Sequence, residues 1–211
     1  MANSRAWIEL KRQIEILRRQ FLPASFDPLG RYDEEDRVQA HTRAFLVLSH
    51  AEVETFIEDW AKDIARKAET VWNSSQKTTE PLAIMMAHLG TALTISETYQ
   101  KPAEDSRSRY SDACTKVIKS FYERIKKNNG VKEKNFLTLF APLGVPAVAT
   151  GLTLLPNLNT FGANRGDHAH HAARAVANPL DPETEYKFVK QVLNDLDVLD
   201  KWLVGYRRRI R

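Results

Sequence analysis

The stretch that runs from the acidic start Asp33, Glu34, Glu35, Asp36 to about Trp72 most constrains the fold, because its apolar residues recur at helical spacing throughout. It predicts one helix of about 38 residues, which at ~1.5 Å per residue spans ~57 Å. Acids at its start complement the positive end of the helix dipole. One stripe runs Leu46, His50, Val53, Ile57, Trp60 and Ile64, and His50 within it reads as a buried, hydrogen-bonded core histidine. A helix of that length suits a helical bundle.

The remaining segments read the same way. Ser4 is placed to cap a first helix reaching about Gln20, with Trp7, Leu10, Ile14, Leu17 and Phe21 on one face. Leu22 to Tyr32 holds Pro23, Pro28 and Gly30 and reads as a loop. Asn73 to Glu80 is a polar connection, and Pro81 opens a short helix that Gly90 ends. Pro102 to Lys127 reads as a helix closed by Asn128, Asn129 and Gly130. From Asn135 to Leu158 the chain is apolar but interrupted by Pro142, Gly144, Pro146, Gly151 and Pro156, so short buried helical turns are expected. The last helix has the clearest start, with Asp181 as cap, Pro182 at the first position, and Glu183 and Glu185 in the first turn. Its stripe is Tyr186, Val189, Leu193, Leu196, Leu199 and Leu203.

Composition agrees with this pattern. Hydrophobic residues make up 43% of the 211 residues and charged residues 27%, which suits a soluble globular chain with a substantial core. Only 8 glycines are present, too few for many tight turns between short strands. The fold class expected is all-α, a single-domain helical bundle over residues 1–211 that ends in a basic segment, 206–211. No run approaches the ~18–20 apolar residues of a membrane span, and the start of the chain lacks a secretory pattern, so a cytoplasmic protein is expected. The one cysteine, Cys114, leaves no internal disulfide and no four-cysteine zinc site. Tyr110, Val117, Ile118, Phe121 and Ile125 surround it at helical spacing, which predicts a buried, inert thiol.

The net charge of +4 equals the contribution of Arg207, Arg208, Arg209 and Arg211 alone. A second excess lies between Arg107 and Lys134, where nine basic residues (Lys116, Lys119, Lys132 and Lys134 among them) face three acids. Both clusters suit a phosphate backbone, and both suit ordinary solvation.

Three of the six histidines, His168, His170 and His171, fall within four positions of an otherwise apolar region. Arg165 precedes His170 by five positions, an R-x-x-x-x-H pattern. A histidine can exchange a proton near neutral pH, and an arginine can hold a phosphate by two parallel hydrogen bonds. Together they approach the minimum needed to cleave RNA without metal. The base takes the proton of a ribose 2′-hydroxyl, the arginine stabilises charge on the phosphorus centre, and a 2′,3′-cyclic phosphate and a 5′-hydroxyl result. One histidine cannot be base and acid in a single concerted step, and a two-fold dimer would supply a second. Positions five apart on an ideal helix differ by ~140°, so within one helix the pair does not share a face. Two other readings stand beside this one. Asp167, His168 and His171 have spacings compatible with shared metal ligation, although no H-E-x-x-H pattern completes a site. The same residues could also form a polar helix start satisfied by the backbone.

The segment Phe161, Gly162, Ala163, Asn164, Arg165, Gly166, Asp167, His168, Ala169, His170 resembles the signature of the HEPN superfamily, and most closely that of the RiboL-PSP-HEPN family. Two further stretches are similar to the same family: Asn129 to Asn135 leading into Pro142–Val145, and Ser49 to Ile57 on the long helix. The resemblance implies a compact helical domain that pairs into homodimers, with the two motifs meeting in a cleft. It implies a metal-independent endoribonuclease without cofactor, in toxin–antitoxin, phage-defence or RNA-processing systems, with RNA as substrate and an antitoxin or defence-system protein as a further partner. By the motif, Arg165 binds the phosphate and His170 handles the 2′-hydroxyl or leaving-group proton. Gly166 stands where many such nucleases carry a polar residue, so Asp167 or His168 is a candidate helper, and His171 offers a second register. The alternative implied by the same family is a non-catalytic HEPN module that binds RNA or a protein partner, or serves a larger defence complex structurally. Arg207, Arg208, Arg209 and Arg211 fit an RNA strand near the cleft, or the negative end of the last helix.

Overall fold

The computed structural model describes residues 2–90, 102–170 and 179–211, with side chains except at 102–106 and 165–170. Among the described residues there are seven α-helices and no strand, an all-α architecture. The helices are α1 (Arg5–Phe21), α2 (Glu35–Ser75), α3 (Glu80–Leu89), α4 (Pro102–Lys126), α5 (Glu133–Phe140), α6 (Leu154–His170) and α7 (Pro182–Arg209). The long stretch is indeed one helix of 41 residues. No helix among the described residues is long and apolar enough to cross a membrane.

The chain divides into two compact units. The first comprises Met1–Ile57, Asn129–Phe136 and Ala147–Val204. Its core combines Trp7, Leu10 and Ile14 of α1, Phe45, Val53 and Phe56 of α2, Leu154, Leu158 and Phe161 of α6, and Val189, Leu196 and Leu199 of α7, all buried. Trp7 meets Phe56 edge to face at 6.1 Å. The start of α1 is fixed by the expected cap, because the Ser4 hydroxyl accepts the Trp7 N–H at 3.0 Å. Asp200, fully buried on α7, in turn accepts the Ser4 N–H at 2.9 Å and the Ser4 hydroxyl proton. A buried carboxylate is tolerated when such donors satisfy it.

The second unit comprises Glu58–Asn128, Leu137–Pro146 and Gly205–Arg211. Ile64, Ala68 and Trp72 of α2 are buried there with Leu82 and Met85 of α3 and Val117, Phe121 and Ile125 of α4. Cys114 is buried as its surroundings predict, with its Sγ 3.5 Å from Met86 Sδ. Tyr122 donates to Glu69 at 2.7 Å, and Tyr206 donates to the Leu143 carbonyl at 2.7 Å.

The interrupted apolar region departs from expectation at its end. It holds α5, two single 3-10 turns (Ala141–Leu143 and Ala147–Thr150), and then the start of α6 at Leu154. Pro156 does not break the chain into a further turn. It is the third residue of α6, where a backbone N–H would find no partner within the helix, so proline costs nothing there. From that start α6 continues without interruption to His170.

Candidate functional site

The R-x-x-x-x-H motif lies on the last described turns of α6. It is therefore not a polar helix start, since the helix begins eleven residues before Arg165. The backbone stays helical through Gly166, so the repeat of ~100° per residue applies across the motif. On that repeat the Arg165 backbone position lies within ~40° of Phe161, whereas His170 lies ~140° from Arg165 and ~7.5 Å further along the axis. Asp167 is one turn before His170, and His168 one turn after Arg165. The side chains of Arg165, Asp167, His168 and His170 are outside the described set, and His171 lies outside the described residues altogether.

Side chains of α2 and α7 hold this helix in place. Phe161 is 1% exposed, and its ring faces that of His50 with centroids 5.5 Å apart and planes inclined by 39°. Phe188 of α7 meets Phe161 edge to face at 6.1 Å. His50 is buried, as expected, with its Nδ1 3.8 Å from the Glu54 carboxylate one turn along α2. Glu54 also accepts the Gly130 N–H. Gly130 has a φ of +123°, a backbone conformation that side chains resist, so a glycine after α4 serves both the turn and this contact.

The segment that follows Gly130 is tied to α6 directly. Asn159 and Glu133 exchange hydrogen bonds: the Glu133 N–H donates to Asn159 Oδ1 at 2.9 Å, and Asn159 Nδ2 donates to Glu133 Oε2 at 3.0 Å. One helical turn later the stem of Lys132 crosses α6 at Gly162. A Cβ at Gly162 would lie 2.6 Å from Lys132 Cγ and 3.5 Å from the Lys132 backbone N. Real side chains do not approach so closely, so any larger residue here would have to displace the Lys132 stem. The Phe-Gly pair ahead of Arg165 thus has a packing explanation in each half. The stretches Ser49–Ile57 and Asn129–Asn135 meet on α6 through His50 and through Lys132 with Glu133.

A model of the RiboL-PSP-HEPN family matches residues 9–204. The chain belongs to the RiboL-PSP-HEPN family. This HEPN membership associates it with RNA-related function, and HEPN domains are often ribonucleases. No curated protein and no solved structure matches the chain.

In this HEPN chain the C-terminal arginines do not form one uniform group. α7 carries through Arg209, and Arg207 is paired with Asp63 of α2 within the second unit. The Arg209 guanidinium stands 5.5 Å over the Tyr206 ring, while Arg208 and Arg211 are exposed. In the other basic cluster Lys126 pairs with Glu123 at 2.6 Å, and Lys116, Lys119 and Lys132 are exposed. Sequence reasoning identified the stretches around His50 and Lys132 but not their contacts with α6. The one local signal was Gly162, a glycine inside an otherwise helical pattern.

Proposed function

We propose that the chain is a metal-independent endoribonuclease that acts as one HEPN-like domain over residues 1–211 and works as a homodimer. The observation that carries the reading is the family's motif on an uninterrupted helix, with Arg165 and His170 five residues apart inside the matched region. His170 takes the proton from the ribose 2′-hydroxyl, the 2′-oxygen bonds to phosphorus, and the bond from phosphorus to the 5′-oxygen breaks. The 5′-oxygen leaves with a proton drawn from solvent water, and a 2′,3′-cyclic phosphate remains. Arg165 holds the phosphate and stabilises the charge that builds on it. Asp167, one turn before His170, is the orienting residue in this account, and His168 stands one turn from Arg165. The reaction belongs in a toxin–antitoxin, phage-defence or RNA-processing setting, with a neutralising protein as second partner.

The angular separation of ~140° supports a composite site. A helix cannot bring both groups to one phosphate from one face, whereas two helices across a two-fold axis can each supply one group. Mixing two inactive variants tests this. Arg165→Ala and His170→Ala are each expected to bind RNA without cutting it. Co-refolded heterodimers of the two should regain cleavage, since one of their two sites then holds an intact Arg165 and an intact His170. Heterodimers that stay inactive contradict the composite site, and a His170→Ala protein that cuts like wild type contradicts the assignment of His170.

A further inference from the structure

Lys132 is exposed, yet its stem is laid against a helix rather than extended into solvent. Its Cγ lies 2.6 Å and its Cε 3.4 Å from the position a Gly162 Cβ would occupy. Both carbons approach one backbone position, so the stem crosses α6 at Gly162. The ammonium nitrogen, one C–N bond of ~1.45 Å beyond Cε, is then within about 5 Å of that position. Arg165 follows Gly162 by three residues, about 4.5 Å further along the axis. The neighbouring acid, Glu133, is engaged by Asn159, and Lys132 has no ion-pair partner among the described residues.

We propose that Lys132 is a phosphate-binding residue of the α6 site, holding the RNA backbone phosphate next to the one that Arg165 clamps. This rests on the ribonuclease reading given above. The chemistry suits the division of labour. A guanidinium offers a planar fork for a phosphate whose charge is changing, whereas an ammonium on a flexible stem is a point charge for a neighbouring phosphate that does not react. Gly162 then makes room, because its bare backbone lets the lysine cross the helix one turn before Arg165. Lys132 is accordingly expected to act on binding and KM rather than on kcat.

The competing explanation is that the stem merely covers helix surface while its charge sits in water. Lys132→Met separates the two, because it keeps a similar stem and removes the charge. The probe is a fluorescein-labelled single-stranded 2′-O-methyl RNA, which keeps the phosphates and lacks the attacking hydroxyl. Lys132→Met should bind it several-fold more weakly, about equally for uridine-rich and adenosine-rich strands. The slope of log affinity against log salt should fall in magnitude by about 0.7, the value for one phosphate contact on a single strand. Lys132→Arg should restore both. On cleavable RNA the loss should appear in KM, with kcat within about twofold.

Unchanged affinity and salt slope in Lys132→Met overturn the proposal, and so does a loss confined to kcat. If wild type cleaves RNA in EDTA while Lys132→Met binds normally, the ribonuclease reading stands and the role of Lys132 falls. If wild type neither cleaves nor binds RNA, both fall.

Discussion

The ring of His50 lies 5.5 Å from that of Phe161, centroid to centroid and tilted by 39°. This contact joins α2 to α6 within the first unit, four residues ahead of Arg165. An imidazole can serve there because Glu54, one turn along α2, faces its Nδ1. A purely apolar residue would take that polar neighbour away from a partly buried carboxylate.

Truncating that ring should be costly. His50→Ala removes a residue only 2% exposed and leaves Phe161 without its neighbour. A loss of about 2–4 kcal/mol is expected, from the cavity and the broken polar contact together. Urea unfolding monitored by circular dichroism measures it. A change below about 0.5 kcal/mol would show that the contact does not hold α6.

The cap of α7 should reveal itself through pH. Asp181 accepts the Thr184 N–H at 3.0 Å and the Thr184 hydroxyl proton, and these hydrogen bonds hold its carboxyl below the usual carboxylate range. A depressed folded pKa means that the stabilisation is present above the unfolded value and is lost as pH falls through the folded one. At pH 7, Asp181→Ala is expected to cost about 1 kcal/mol, the usual effect of removing a cap. The difference from wild type should shrink as pH drops below about 4. A difference that stays constant to pH 2.5 would contradict an ionised cap.

Local signals are disclosed by sequence, and contacts between distant segments are not. Asp181 and Ser4 are legible because a cap is local: an acceptor, a few helical positions, and an acidic or apolar run that follows. The stripes on α1, α2 and α7 are legible because burial of one helix face imposes a period on the residues. The continuity of α6 was hidden, because Pro156 reads as a breaker unless one knows that the helix starts at Leu154. Contacts between distant segments leave no period at all. Nothing near Lys132 announces Gly162, and nothing near Arg207 announces Asp63, which lies 144 residues earlier. The arginine cluster therefore looks uniform in sequence, although Arg207 is engaged and Arg208 exposed.

Cys114 should be silent to thiol reagents. Its side chain is fully buried, and that burial pushes the thiol pKa up. Since the thiolate is the reactive form, modification has to wait for opening of the second unit. Labelling by a chromogenic disulfide at pH 8 is expected to be slow in native buffer and complete within seconds in 6 M guanidinium, the concentration being the usual denaturing one. Stoichiometric labelling within seconds of mixing the folded protein would contradict the burial.

The most direct test of the central claim is cleavage of end-labelled RNA by the purified protein in excess EDTA, beside His170→Ala. Metal-independent chemistry predicts cutting by wild type, 2′,3′-cyclic phosphate and 5′-hydroxyl ends, and a rate at least about a hundredfold lower in the variant, the scale of a lost acid–base group. Cleavage that returns only when a divalent metal is added, or that survives unchanged in His170→Ala, would contradict it.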